Sequence, residues 1–170
     1  MSEQESDANE PVEMLRMPVE LDYTYSAGTS ASRFLRAFAE GKLLGQRCPV
    51  DGKVYIPTRG SCPQHGVPID GEPVEVADKG TLVTYSIVRV PSENIPLELP
   101  YVAIQVVLDG ADTAMHHVLS ECELEDVHMG MRLQAKWKPR EEWETSVGNI
   151  LYFIPIDEPD APYDSYKEHI

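Results

Sequence analysis

The chain has 170 residues, 42% hydrophobic and 25% charged, which is the composition of a soluble globular protein with room for one ordinary domain and a small appendage. A formal charge of −15 argues against a general nucleic-acid binder, which needs clustered Lys and Arg to displace counterions from phosphates. No apolar run nears the roughly 18 residues of a membrane span, and three cysteines, an odd number, do not suggest a disulfide framework.

Residues 1–28 read as an acidic extended segment. Residues 1–22 carry seven acids against Arg16, with no apolar core of the signal-peptide kind, so a cytoplasmic protein is expected. Residues 29–42 follow as an amphipathic helix. Ser30 is placed to cap it, Phe34, Leu35 and Phe38 form an apolar stripe, and Gly41 is placed to stop it. About three turns are marginal alone, so the helix must dock, either on its own domain or on a partner.

Residues 43–70 hold two short β-prone runs, 43–47 and 53–57, each beside a copy of one pattern: CPVDG at 48–52 and CPQHG at 62–66. This is the layout of a zinc ribbon, a hairpin pinched by ligands from two tight turns, with a glycine at each position that requires positive φ. In residues 71–156 the texture changes to β-strands between turn signals, with runs at 80–90, 101–109, 114–120, 131–137 and 149–156. In the second run Val102, Ile104, Val106 and Leu108 alternate with their neighbours, and LDGAD at 108–112 reads as a hairpin turn. Five such strands predict a mainly β protein, with the helix and ribbon leading into a five-stranded OB-fold barrel. Residues 157–170 are again acidic, with five acids against Lys167, and read as a flexible, solvated tail or a peptide for a partner's groove. The middle of the chain keeps 17 acids against 12 basic residues, so the barrel itself is not basic.

Cys48, Asp51, Cys62 and His65 offer four metal-ligating groups at knuckle spacing, and zinc is the ion that such a set would hold. A carboxylate where a knuckle usually has a second thiolate weakens the site. Two other readings stay open: a decayed knuckle with hydrogen-bonded Asp51 and His65, or a Cys48–Cys62 disulfide, which a reducing cytosol disfavours. Four protein ligands leave no open position, so the expected role is structural.

No catalytic constellation is visible. His116 and His117 are adjacent on a strand and point to opposite faces. Cys122 sits among acids that make it a poor nucleophile. Trp137 and Trp143 flank a mixed-charge loop and suit either barrel-edge packing or a protein interface, or a base stacked in an OB groove. An independent module for single-stranded nucleic acid is therefore the alternative reading, and the net acidity counts against it.

The string FLRAFAEGKLLGQRCPVDGKVYIPTRGSCPQHG, followed by GTLVTYSIVRVP, LPYVAIQVVLDG and GMRL, resembles the zinc-ribbon/OB-fold accessory proteins, formerly a domain of unknown function, that partner thiolase-type enzymes. The likeness spans roughly residues 30–156, and the departures from the family pattern are Asp51 and His65. It implies a non-catalytic accessory subunit of a heteromeric thiolase, acyltransferase or steroid side-chain aldolase. The partner would keep the catalytic residues and act on acyl-CoA thioesters, in a heterotetramer built on its dimer. Arg47, Lys53 and Arg59 are the basic residues available to a CoA phosphate.

Overall fold

The computed structural model describes residue 19, residues 21–92 and residues 95–170, so most of the expected acidic N-terminal segment lies outside the described residues. Helix α1 spans Gly28–Ala39, two residues ahead of the expected Ser30 cap. Its N-cap is Ala27, with no side-chain cap bond, and Ser30 lies inside the first turn, where its carbonyl accepts the Thr58 hydroxyl at 2.6 Å. The helix ends in a Schellman arrangement: Lys42 N–H bonds Ala37 O at 2.9 Å and Gly41 N–H bonds Phe38 O at 3.0 Å, with Gly41 at φ +77°. Phe34, Ala37 and Phe38 are buried and Leu35 partly so. The helix docks on its own domain, and Phe38 packs on Trp137 with ring centroids 5.5 Å apart.

Strands β1 (Leu43–Arg47), β2 (Val54–Tyr55) and β3 (Val74–Val76) form a small antiparallel sheet in the order β2-β1-β3. The pairing of Leu43 with Val76 brings residues just past the second knuckle back onto the ribbon, a strand not read from the sequence because its three residues carry no periodicity.

The barrel comprises β4 (Lys79–Val88), β5 (Tyr101–Leu108), β6 (Ala114–Leu119), β7 (Arg132–Trp137) and β8 (Ile150–Pro155). It closes in the order β4-β5-β6-β8-β7, with β4 also pairing β7 and β6 meeting β8 in parallel at Leu119 and Phe153. This is the five-stranded OB-type barrel that the sequence predicts. In β5 the residues Val102, Ile104, Val106 and Leu108 are the buried ones, as their alternation requires. Gly80 pairs with both Leu108 and Leu133 at the point of closure, where a Cβ would collide with the backbone of Val107.

The last residues depart from the solvated-tail reading. Glu158 accepts from Lys79 Nζ at 2.6 Å and Arg132 Nε at 3.1 Å, and Ala161 N–H bonds Gly130 O at 2.9 Å. Tyr166 is only 8% exposed. Its hydroxyl lies over Gly130, whose φ of +96° and missing side chain make room for the strap. Composition missed this because a few well-placed contacts, not average hydrophobicity, hold the segment. No helix among the described residues is long and apolar enough to cross a membrane.

Candidate metal centre in the ribbon

The two CP-x-x-G turns are the same structure twice. Cys48 N–H bonds Lys53 O at 2.8 Å and Gly52 N–H bonds Cys48 O at 3.0 Å; Cys62 N–H bonds Val67 O and Gly66 N–H bonds Cys62 O, both at 2.9 Å. Gly52 and Gly66 have φ of +77° and +66°. The sequence repeat thus encodes two matching knuckles, each aiming its cysteine inward.

They bring Cys48, Cys62 and His65 together, with donor atoms all within 4.8 Å of one another. His65 Nδ1 lies 3.6 Å from Cys48 Sγ and 3.3 Å from Cys62 Sγ. A tetrahedral zinc with ordinary Zn–S and Zn–N bonds separates such donors by about 3.6 Å, so the donor set fits the ion in kind and spacing. Asp51 lies outside that closed group. Its Oδ1 accepts Lys53 N–H at 3.0 Å, and its Oδ2 stands 3.8 Å from His65 Nδ1.

The two thiols differ. Burial pushes Cys48 up, against the backbone N–H groups of Asp51 and Val50 that favour its thiolate. Burial acts on Cys62 in the same direction, but the backbone and ring of His65 and the Tyr55 hydroxyl outweigh it and hold that thiol at about 6. Tyr55 is in turn pushed up to about 12, first by the Cys62 sulfur 3.7 Å away and then by burial. No local pattern marks Tyr55 as a neighbour of the site, since only the pairing of β1 and β2 sets it there. The Lys53 N–H holds the Asp51 carboxyl below its usual range.

The basic residues named for a CoA phosphate are all exposed on the ribbon. Arg47 Nη1 donates to Gly52 O at 2.7 Å, and the Arg59 guanidinium lies 5.9 Å from the Tyr55 ring centroid. None of the three lines the 210 Å³ cavity between α1 and β6, which is formed by Phe34, Ile56, Pro57, Met115, His117 and Val147 together with His116.

The remaining polar residues take structural places. His116 is exposed, while His117 packs edge-on against Phe153 at 5.5 Å and burial pushes its pKa down. Burial, with Asp126 and Glu123 beside it, pushes the Cys122 thiol up. Trp143 stacks on Trp137 at 5.1 Å and donates to Lys138 O at 2.7 Å, which makes the pair packing between α1 and the barrel.

A helix-led ribbon joined to an OB barrel defines a two-part β module with a metal-type knuckle. The family model for the C-terminal OB-fold domain of ChsH2 matches residues 73–138. A DUF35 domain-containing scaffold protein of Methanocaldococcus jannaschii is 31% identical over 118 residues, covering 68% of this chain and 82% of that protein. One from Pyrococcus furiosus is 30% identical, covering 74% and 92%. The chain belongs to this family of DUF35 domain-containing scaffold proteins. Its fold is similar to that of a chain in the structure titled "Ltp2-ChsH2(DUF35) aldolase", at 23% identity and a TM-score of 0.58, covering 78% of this chain and 98% of that one. A DUF35 protein of unknown function from Sulfolobus solfataricus has the same fold at 19% identity and a TM-score of 0.52, with 64% and 78% covered.

Proposed function

We propose that the protein is a non-catalytic accessory subunit that assembles with a thiolase-fold enzyme acting on acyl-CoA thioesters, steadying that partner and helping to shape its acyl-CoA site. The observation that carries this reading is the family: its relatives are named scaffold proteins, and a structural neighbour is one chain of an aldolase assembly. In support, His117 is engaged in packing against Phe153, and burial raises the Cys122 thiol. The expected assembly is a heterotetramer on the partner's dimer, in the cytoplasm. The apolar cavity between α1 and β6 would suit part of an acyl chain, with Arg47, Lys53 and Arg59 on the ribbon offered to CoA phosphates.

Zinc on Cys48, Cys62 and His65, with Asp51 beside them, would cross-link the two knuckles and fix the ribbon. The test of the assembly is a tagged pull-down from the native organism. Recovery of a thiolase-fold protein in near-equal amount is the expected result; recovery of nucleic acid, or of no protein, would overturn the reading. Replacing Arg47, Lys53 and Arg59 should weaken the complex's apparent affinity for acyl-CoA, and an unchanged value would remove them from the site.

A further inference from the structure

Charge is distributed unevenly over this fold. Residues 28–69, the helix and the ribbon, carry Arg33, Arg36, Lys42, Arg47, Lys53 and Arg59 against only Glu40 and Asp51. That is a net of +4, which leaves −19 on the rest of a chain totalling −15. In the barrel the cations are committed: Lys79 and Arg132 are both held by Glu158, and Arg132 also by Asp109. Arg33 and Arg36 are exposed and pair with no carboxylate among the described residues. With Ala37 and Glu40 they stand at i, i+3, i+4 and i+7, so the four share one stripe of α1, beside the Phe34 and Phe38 stripe that enters the core. This stripe lines one side of a 340 Å³ groove, completed by Leu44 of β1 and by Glu72 and Pro73 just before β3.

We infer that this groove takes the nucleotide end of an acyl-CoA, with its phosphates on Arg33 and Arg36 and its adenine against Ala37, Leu44 and Pro73. A guanidinium grips a phosphate through two parallel hydrogen bonds and keeps its charge at any working pH, so two free ones on neighbouring turns of a helix suit a ligand with several phosphates. The apolar side chains accept a flat base, and the volume, near the lower end for ligand pockets, holds one nucleotide. Glu40 and Glu72 would repel a run of phosphates but accept readily from a ribose hydroxyl, which favours a single nucleotide over a nucleic-acid strand. The other cations of the helix and ribbon draw such an anion toward this side of an otherwise acidic chain. The inference rests on the acyl-CoA reading above and gives it a site: α1 borders the groove through Arg33 and the apolar cavity through the adjacent Phe34. Both arginines escaped the sequence reading because charge on the outer face of an amphipathic helix is ordinary.

The test is equilibrium binding of desulfo-CoA, which has no thiol to meet the ribbon cysteines, to the full-length protein and to the complex recovered by the pull-down. Arg33→Gln and Arg36→Gln should each weaken binding about tenfold, and the two together about a hundredfold. Arg89→Gln, at an exposed arginine between β4 and β5, should leave it unchanged. ADP, which lacks the phosphate on the ribose, should bind less tightly. All three arginines are exposed, so circular dichroism of the variants should match the wild type. Binding that is absent from wild-type chain and complex at millimolar ligand, or that survives the double substitution, would overturn the inference, while the accessory-subunit reading would stand on the partner recovered. A single-stranded oligonucleotide that binds more tightly than desulfo-CoA and is lost in the same variants would overturn it in favour of nucleic acid. Binding by the free chain that depends on Arg33 and Arg36, with no partner recovered, would uphold the groove and remove the accessory-subunit reading.

Discussion

Gly41 and Gly52 share a backbone conformation, φ +77°, and differ in what surrounds them, which separates backbone strain from packing. A Cβ at Gly52 would meet nothing within 4 Å. At Gly41 it would overlap the six-membered ring of Trp143, with Arg140 Nη1 3.5 Å away. That ring has little freedom to yield: it stacks on Trp137 at 5.1 Å, lies 4.3 Å below the Arg140 guanidinium and is tethered through Nε1 to Lys138 O at 2.7 Å. Forcing L-alanine into the left-handed region costs about 1 kcal/mol at either site. Displacing Trp143 adds about 1 kcal/mol for the aromatic pair and about 1 kcal/mol for its hydrogen bond. Gly41→Ala is therefore expected to destabilise by about 3 kcal/mol and Gly52→Ala by about 1 kcal/mol, a gap of roughly 4–8 °C in Tm for a chain of this size. Urea unfolding followed by circular dichroism and tryptophan fluorescence, with both variants at the same metal loading, measures the difference. In a Trp143→Ala background the Gly41 substitution should fall to its backbone cost alone. Equal costs for the two glycine variants, or no change in that background, would refute the packing argument.

Asn149 is fully buried at 0% exposure and bonds Phe38 O at 3.1 Å, Glu144 O at 2.7 Å and Glu144 N–H at 3.0 Å; Asn149→Ala should cost about 3 kcal/mol in urea unfolding and loosen α1 first. Truncation after Ile156 removes the contacts of Glu158 and Tyr166, and should lower stability by about 2 kcal/mol in the same assay while leaving the barrel folded. The Asp126 carbonyl, and then the Asp160 carboxylate 2.8 Å away, raise the pKa of His128, so this clasp on the tail is fully present below the unfolded histidine value and is lost as pH rises through the higher folded one. The pair is exposed, so Asp160→Asn should cost under about 1 kcal/mol near pH 5.5 and nothing near pH 9, compared with wild type at each pH. Chelator treatment should strip hydrogen-exchange protection from the two knuckles, residues 48–52 and 62–66, and leave Val54, Ile56 and β4–β8 protected; loss of protection across the barrel would contradict the separation of the two cores.

The parts of this molecule that could be read from the sequence are those built by near neighbours. The alternation in β5, the turn at 108–112 and the paired knuckles each depend on a few consecutive residues, and each formed where its pattern lay. Ser30 shows how a local signal loses: a serine four residues upstream of the apolar stripe suits a cap, but Gly28 starts the helix and the Ser30 carbonyl goes to Thr58, 28 residues on. The pairing of β3 with β1, the strap of residues 157–170 and the anchoring of Asn149 to Phe38, 111 residues away, are all long-range and leave no local trace. At the site, spacing pointed to Cys48, Cys62 and His65, which the two knuckles bring together, and missed Tyr55. It could not show that Asp51 would spend an oxygen on the Lys53 amide, because that choice is made by the turn's geometry.

Strand β2 explains how this fold tolerates such an altered knuckle. Its side chains alternate, so Val54 and Ile56 join the main core with Phe34, Phe38 and the barrel, while Tyr55 faces the opposite way into a small cluster with Cys48, Cys62 and Ile69. The free edge of β2 is tied to the hairpin between β5 and β6: Val54 N–H bonds Asp112 Oδ2 at 2.7 Å, Asp112 N–H bonds Val54 O at 2.8 Å, and Thr113 Oγ1 bridges both the N–H and the carbonyl of Ile56. The ribbon's base is thereby fixed to the barrel by hydrogen bonds from its backbone to Asp112 and Thr113 and by apolar burial, neither of which involves the donor side chains. What the donors govern is only the outer tip, where the apolar cluster is too small to order two turns by burial alone. Exchanging cysteines for Asp51 and His65 changes the chemistry of that tip while the surface formed by the helix and barrel keeps its shape.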